Sequence, residues 1–258
     1  MLDGFLLCWY ILTGLSLIYL VYDQVTNTPS MPIMGLAWFL VLLYTGPIGL
    51  FFYFISCRQP LPDTHDQFIS AHWKQALGSE IHCVAGDATA IIITAALLHY
   101  FALPNGIETI IEYVAAYLFG LFVFQALFML GMFKNYWEAV RKTIFAETVS
   151  MNTVMTGMLP VIFIIRELYA PARDPLRPYF WGMMSLATLA GFVVGYPINS
   201  WMVRKGLKHG MMSRGMSHHH HEAGTISAGK MWFHIAWTYA LLIIVFLIIS
   251  IWIPVRFS

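Results

Sequence analysis

Charge is scarce in this 258-residue chain: Asp, Glu, Lys and Arg together make up 10% of it. A soluble domain carries about 25%. The balance is nearly neutral, at +1, which leaves no basic footprint for nucleic acid. Cysteine is equally sparse. Cys8, Cys57 and Cys83 form no CxxC pair and no even-numbered framework, so neither a disulfide scaffold nor a zinc ribbon is written here. The phosphate-binding GxxxxGK[ST], the dinucleotide GxGxxG, the zinc-protease HExxH and the hydrolase GxSxG are all missing, which argues against ATP-driven work by this chain alone. What is present is apolar: 59% of the residues, with a mean hydropathy of +0.69. An ordinary soluble domain, a disordered chain and a soluble repeat array are excluded, and an all-α, polytopic membrane protein is left.

A bilayer core of about 30 Å needs roughly 20 apolar residues per crossing helix. Seven windows qualify: 4–22, 33–56, 76–101, 109–133, 146–166, 179–203 and 231–254. They predict seven transmembrane helices in a single domain, 1–258, with a Met/His-rich loop at 204–230. The first segment, with no basic residue before it, reads as a retained anchor. With seven crossings, the side of the N-terminus carries ten Lys and Arg, Arg58, Lys74 and Lys208 among them, and the other side four. The positive-inside rule then predicts a plasma-membrane protein with its N-terminus in the cytoplasm and its C-terminus outside. The last segment has no mid-membrane lysine for a retinal Schiff base.

Ionisable groups at bilayer depth are costly and mark function by default. The third segment holds the densest set. Glu80, Cys83 and Asp87 fall at i, i+3 and i+7, one stripe of a helix. His82 lies on an adjacent face, about 140° from Asp87, so any shared site needs a second helix or a loop. Imidazole, thiolate and carboxylate are ligands for transition metals. The structural alternative makes Cys83 a small buried hydrophobe and Asp87 a hydrogen-bonding partner of a neighbouring helix. In the fifth segment Glu147 lies near the start, and Met151, Met155 and Met158 form a stripe that suits Cu(I) or plain packing. Asn152, a deep amide in need of partners, is expected to face Asp87. Pro197 interrupts the sixth segment beside Asn199. The loop after it carries His209, Met211, Met212, Met216 and the run His218, His219, His220 and His221, a composition that reads as metal-binding or as solvated loop. Asp63, His65 and Asp66 form a weaker cluster in the second loop.

Three stretches carry a resemblance: ALGSEIHCVAGDAT (76–89), SMNTVMTGM (150–158) and GYPINSWMVRKGLKHGM (195–211). They resemble an uncharacterised prokaryotic membrane family, domain of unknown function 4396. His82, Cys83, Gly86 and Asp87 match its HCxxGD core. Asn152, Met155 and Met158 match its second motif, and Pro197, Asn199, Lys208, His209 and Gly210 its third. The resemblance implies a multi-helix integral membrane protein and no established activity; the tetra-His run lies outside it.

Together these features predict a transition-metal-handling membrane protein, with copper favoured over zinc. His82, Cys83 and Asp87 would form an intramembrane site, Met151, Met155 or Asn152 would contribute from the fifth segment, and the Met/His loop would capture metal. The alternatives are an accessory subunit of a membrane oxidoreductase complex, whose polar cluster holds a cofactor or relays protons, and a structural helical scaffold. The expected partners are the lipid bilayer and a metal ion, with a second copy or other membrane subunits as candidates, and no nucleic acid.

Overall fold

The computed structural model describes residues 2–129, 133, 135–211, 224 and 226–258. Among them the protein is all-α, and seven helical segments are long and apolar enough to cross a membrane: Leu2–Thr26, Pro32–Ser56, His72–Phe101, Asn105–Met129, Tyr136–Leu168, Pro178–Arg204 and Ala228–Trp252. This is a multi-pass membrane protein. The helices are α1 (Leu2–Thr26), α2 (Pro32–Ser56), the short α3 (His65–Ile69), α4 (His72–Leu98), α5 (Asn105–Phe119), α6 (Ala126–Met129), α7 (Tyr136–Leu168), α8 (Pro178–Arg204) and α9 (Ala228–Trp252). A π-helical turn, Gly120–Gln125, joins α5 to α6 within the fourth segment.

Starts and stops follow local chemistry. Asn135 caps α7, its Oδ1 accepting the Glu138 N–H at 2.9 Å. Pro32 and Pro178 open α2 and α8, where the missing donor costs nothing. α4 and α7 are the central helices, buried along most of their length, whereas α9 shows nearly all of its apolar surface to the surroundings. Small residues set the central approach: a Cβ at Gly157 would lie 2.5 Å from Ala190 O of α8, and one at Gly191 would lie 2.7 Å from Met158 Cγ.

The second segment does not run straight. Gly46 adopts φ 55°, ψ −132°, a left-handed conformation open to glycine, and Pro47 follows. The halves fold back on one another. Trp38 and Tyr53 stack edge-on with centroids 5.3 Å apart, although 15 residues of straight helix would separate them by about 22 Å. Both ends of the segment meet the same end of α1. Gln24 Nε2 donates to Gly35 O at 3.3 Å, while Asp23 accepts from Tyr53 Oη at 2.7 Å and Arg58 Nε at 3.1 Å. The tip reaches mid-α1, where a Cβ at Gly46 would lie 2.5 Å from Thr13 Oγ1. α2 is therefore a re-entrant helical hairpin, the kind of broken element tolerated at depth where protein buries it.

The structure keeps the seven long apolar segments but turns the second back on itself. The chain leaves and re-enters one end of the bundle, so the beginning and end of the chain lie together. Asp3 pairs with Tyr179 at the start of α8, and Asn105 at the start of α5 donates to Pro254 O at 3.0 Å. We call this the termini end and the opposite one the basic end. Reporters fused before Asp3 and after Phe257 are expected to read the same side, and one inserted after Leu61 the opposite side. Seven straight crossings would instead put the Asp3 and Leu61 reporters together.

Candidate functional site

The stripe Glu80–Cys83–Asp87 faces inward along α4, and all three residues are buried. Glu147 and Ser150 of α7, Asn199 of α8 and Gln125 at the end of the π turn close around it. Two glycines make the room. A Cβ at Gly120 would overlap Glu147 Oε1 and lie 2.7 Å from Asp87 Oδ1; one at Gly195 would overlap Glu80 Oε1. Backbone replaces side chain at both places so that carboxyls fit between helices. The π turn begins at Gly120, and such turns recur at functional sites because they widen and re-aim a helix.

Asp87 and Glu147 lie within hydrogen-bonding reach of each other. Gln125 approaches Glu147 from the fourth segment, yet no donor among the described residues meets hydrogen-bond geometry with any of the four carboxyl oxygens. Buried polar atoms are rarely left so. Two carboxyls in contact must share a proton, since two adjacent buried charges of one sign repel.

Glu80 is better partnered: Asn199 Nδ2 donates to its Oε2 and also to Ser150 Oγ at 2.8 Å. Lys208 completes the group. Its Nζ donates to Asn199 Oδ1 at 2.6 Å and to Cys83 Sγ, and Gln125 Nε2 lies 3.5 Å from the same sulfur. Lys208 is 6% exposed and reaches inward through a local device. Gly206, at φ 66°, ends α8, with Leu207 N–H bonded to Met202 O at 2.9 Å and Gly206 N–H to Val203 O at 3.0 Å. This is a Schellman cap, which needs glycine at the left-handed position. It turns residues 207–211 under the bundle, where Gln75 Nε2 donates to Met211 O at 3.1 Å and Gly78 leaves no space between α4 and Met211. Burial works against charge on Lys208, but the Cys83, Glu147 and Glu80 groups around it outweigh that and hold the amine above the ordinary lysine range.

The structure brings Glu80, Cys83, Asp87, Glu147 and Asn199 together. It does not bring all the expected residues there. His82 packs its ring against Phe128 and Phe124, centroids 4.5 and 5.4 Å away. Met151 and Met155 belong to the main apolar core, and Asn152 does not face Asp87. Asn152 Oδ1 accepts from Tyr113 Oη at 2.7 Å and its Nδ2 donates to Thr238 Oγ1 at 3.2 Å, because its side chain leaves α7 toward α5 and α9. His65 uses Nε2 on Cys57 O at 3.0 Å. His209 lies half-buried in the turned segment. His218, His219, His220, His221, Met212 and Met216 lie outside the described residues. Among the described residues no three His, Cys, Asp or Glu side chains are grouped to hold a metal ion.

Ser150, Gln125 and Lys208 are site residues that the sequence does not single out as such, although Lys208 matches the third motif. Lys208 counts as a topology charge until its burial is seen, although the glycines on either side of it, Gly206 and Gly210, hint at a tight return. Gln125 is a lone amide inside GLFVFQALF, and that isolation was the available signal. Gly120→Val is expected to push the acid pair apart and to destabilise the bundle by about 1–3 kcal/mol, the usual cost of overpacking, read by thermal unfolding in detergent. An unchanged midpoint would mean the carboxyls do not sit where Gly120 makes room.

No curated protein and no solved structure matches the chain. The family model of a domain of unknown function (DUF4396) matches residues 72–208, from the first residue of α4 to Lys208 and thus over every member of the cluster, and the chain belongs to that family.

Proposed function

We propose that this protein binds a cation within the membrane in exchange for protons, at the Asp87–Glu147 pair. One observation carries the reading: two fully buried carboxyls from different helices face each other, and no other side chain among the described residues donates to them in hydrogen-bond geometry. Keeping such a pair in a bilayer is expensive, and groups of this kind mark ion and proton pathways. A shared proton suits the pair at rest, and a cation arriving between the carboxyls releases it. Lys208, Asn199 and Gln125 keep the surrounding charge and hydrogen bonds in order.

A transition metal, copper or zinc, is the narrower form of this reading. Cys83 lies one turn from Asp87 on α4 and near Gln125. Since the three side chains are not grouped as a metal site among the described residues, this form requires Cys83 to leave Lys208 and swing toward the two carboxylates. The Met/His-rich loop at 204–230 would gather metal at the basic end. The positive-inside rule puts that end in the cytoplasm and the termini end outside.

The test is reconstitution of the full chain in vesicles loaded with a pH-sensitive dye. Zn(II), Cu(I) kept reduced, Mn(II), Na+ and K+ are offered in turn. At least one is expected to drive proton counterflow that Asp87→Asn removes. No counterflow with any of the five overturns the reading; counterflow with Zn(II) or Cu(I) alone selects its narrower form.

A further inference from the structure

The acid pair has an unexplained continuation toward the termini end. A cavity of about 510 Å³ opens there, lined by His99, Glu108, Arg166, Arg173 and Arg256 among others. At its floor Arg166 bridges two carboxylates, with Nη1 3.4 Å from Glu108 Oε2 and Nη2 3.4 Å from Glu112 Oε1. Glu112 is 2% exposed, a carboxylate sunk beneath the cavity. The next residue of α5, Tyr113, donates its hydroxyl to Asn152 and lies 3.1 Å from Tyr239 Oη. One turn on, Tyr117 Oη is 3.0 Å from Thr148 Oγ1, and Thr148 adjoins Glu147. The next turn runs past the end of α5 to Gly120, the first residue of the π turn, against which Glu147 and Asp87 close.

Glu112, Tyr113 and Tyr117 thus descend α5 to Gly120 at the start of the π turn, about 12 Å of helix, and α7 supplies Asn152, Thr148 and Glu147 opposite them. A purely structural network would serve if it only had to satisfy its own hydrogen bonds. Three tyrosine hydroxyls are more than Asn152 and Thr148 need. Each hydroxyl both donates and accepts, which is what a group must do to hand a proton on.

We propose that this ladder is the proton path between the termini-end cavity and the acid pair, with Glu112 as its outermost exchanging group and Tyr113 and Tyr117 as relays. The proposal rests on the proton-exchange reading of Asp87 and Glu147. A proton taken up by Glu112 neutralises its carboxylate and frees it from Arg166. Each tyrosine then passes a proton inward as it receives one from outside, with a water bridging the turn of helix between Tyr113 and Tyr117 and another between Tyr117 and Glu147. The last proton comes to rest on Glu147 or Asp87, and no group is consumed.

The experiment uses the full chain in the same dye-loaded vesicles, with an acid pulse outside and the membrane potential clamped. Glu112→Gln and Tyr113→Phe are each expected to slow proton uptake at least about tenfold, equivalent to roughly 1.4 kcal/mol on the barrier, and Tyr113→Phe, which leaves the buried Asn152 Oδ1 without its donor, is expected to lower the unfolding midpoint as well. A structural network alone would change unfolding and leave uptake intact. Wild-type uptake in both variants, with Asp87→Asn inactive, overturns the path and leaves the acid pair standing. Slowed uptake in both variants with Asp87→Asn fully active supports the path and overturns the pair as its terminus. No protein-dependent uptake in the wild type overturns both.

Discussion

Asp87→Asn is expected to abolish cation-coupled proton movement while leaving the bundle folded. The amide keeps the size and shape of the carboxyl, so the packing against Gly120 survives. Its amide N–H takes the place of the shared proton as donor to Glu147. One donor is exchanged for another, so the unfolding midpoint should hold within about 1 kcal/mol. Function goes the other way, because an amide cannot take and release a proton at working pH. Loss of a proton-transferring group costs at least about a hundredfold in rate. Glu147→Gln should produce the same loss, and the double variant no further loss, since the two carboxyls act as one unit. Dye-loaded vesicles give the rate and thermal unfolding in detergent gives the stability. An inactive variant that also unfolds early would point to a structural pair; an active Asp87→Asn would remove the site from the mechanism.

The second large effect concerns the hairpin. Asp23 is 3% exposed and accepts from four residues on three stretches of chain: Asn27 at 3.2 Å, Thr28 at 2.6 Å, Tyr53 at 2.7 Å and Arg58 at 3.1 Å. It holds the returning half of α2 against the end of α1 that the outgoing half left. Asp23→Ala strands a buried phenol and threonine hydroxyl, each costing about 1–3 kcal/mol, while the freed Arg58, 39% exposed, turns to water. The expected result is a markedly lower unfolding midpoint, with Asp23→Asn intermediate because its remaining oxygen still accepts. A change below about 1 kcal/mol would show that the Gly46–Pro47 break closes the hairpin unaided.

The same two sites show what was legible before any fold was known. Periodicity places Glu80, Cys83 and Asp87 on one stripe, and the bilayer argument selects them and Glu147 as costly; the structure joins them. It could not place His82 with them, since 140° of helix is enough to turn its ring to Phe124 and Phe128. Asn152 failed as a partner for Asp87 for a similar reason. Its depth along α7 was correct, but its azimuth was set by α5 and α9, whose positions no spacing encodes.

The sequence by itself determined the class. With 10% charge and 59% apolar residues a chain has one solvent open to it, and about 20 apolar residues at a time suffice to cross it. It also determined which polar residues had to be explained, because the cost of burying them depends on depth alone. Only the tertiary structure decided the course of the second segment and the position of Lys208. The Gly46–Pro47 pair permits a straight kinked helix or a return, and the choice falls to Asp23, Tyr53 and Arg58, which meet only once the chain has turned. Lys208 counts as a loop charge until the Schellman cap at Gly206 turns it inward to Cys83 and Asn199. The return of the hairpin rests on contacts between residues 30 or more positions apart, and the local turn at Gly206 gains its meaning only from Cys83, 125 positions from Lys208, so in both cases the free energy belongs to the assembled bundle.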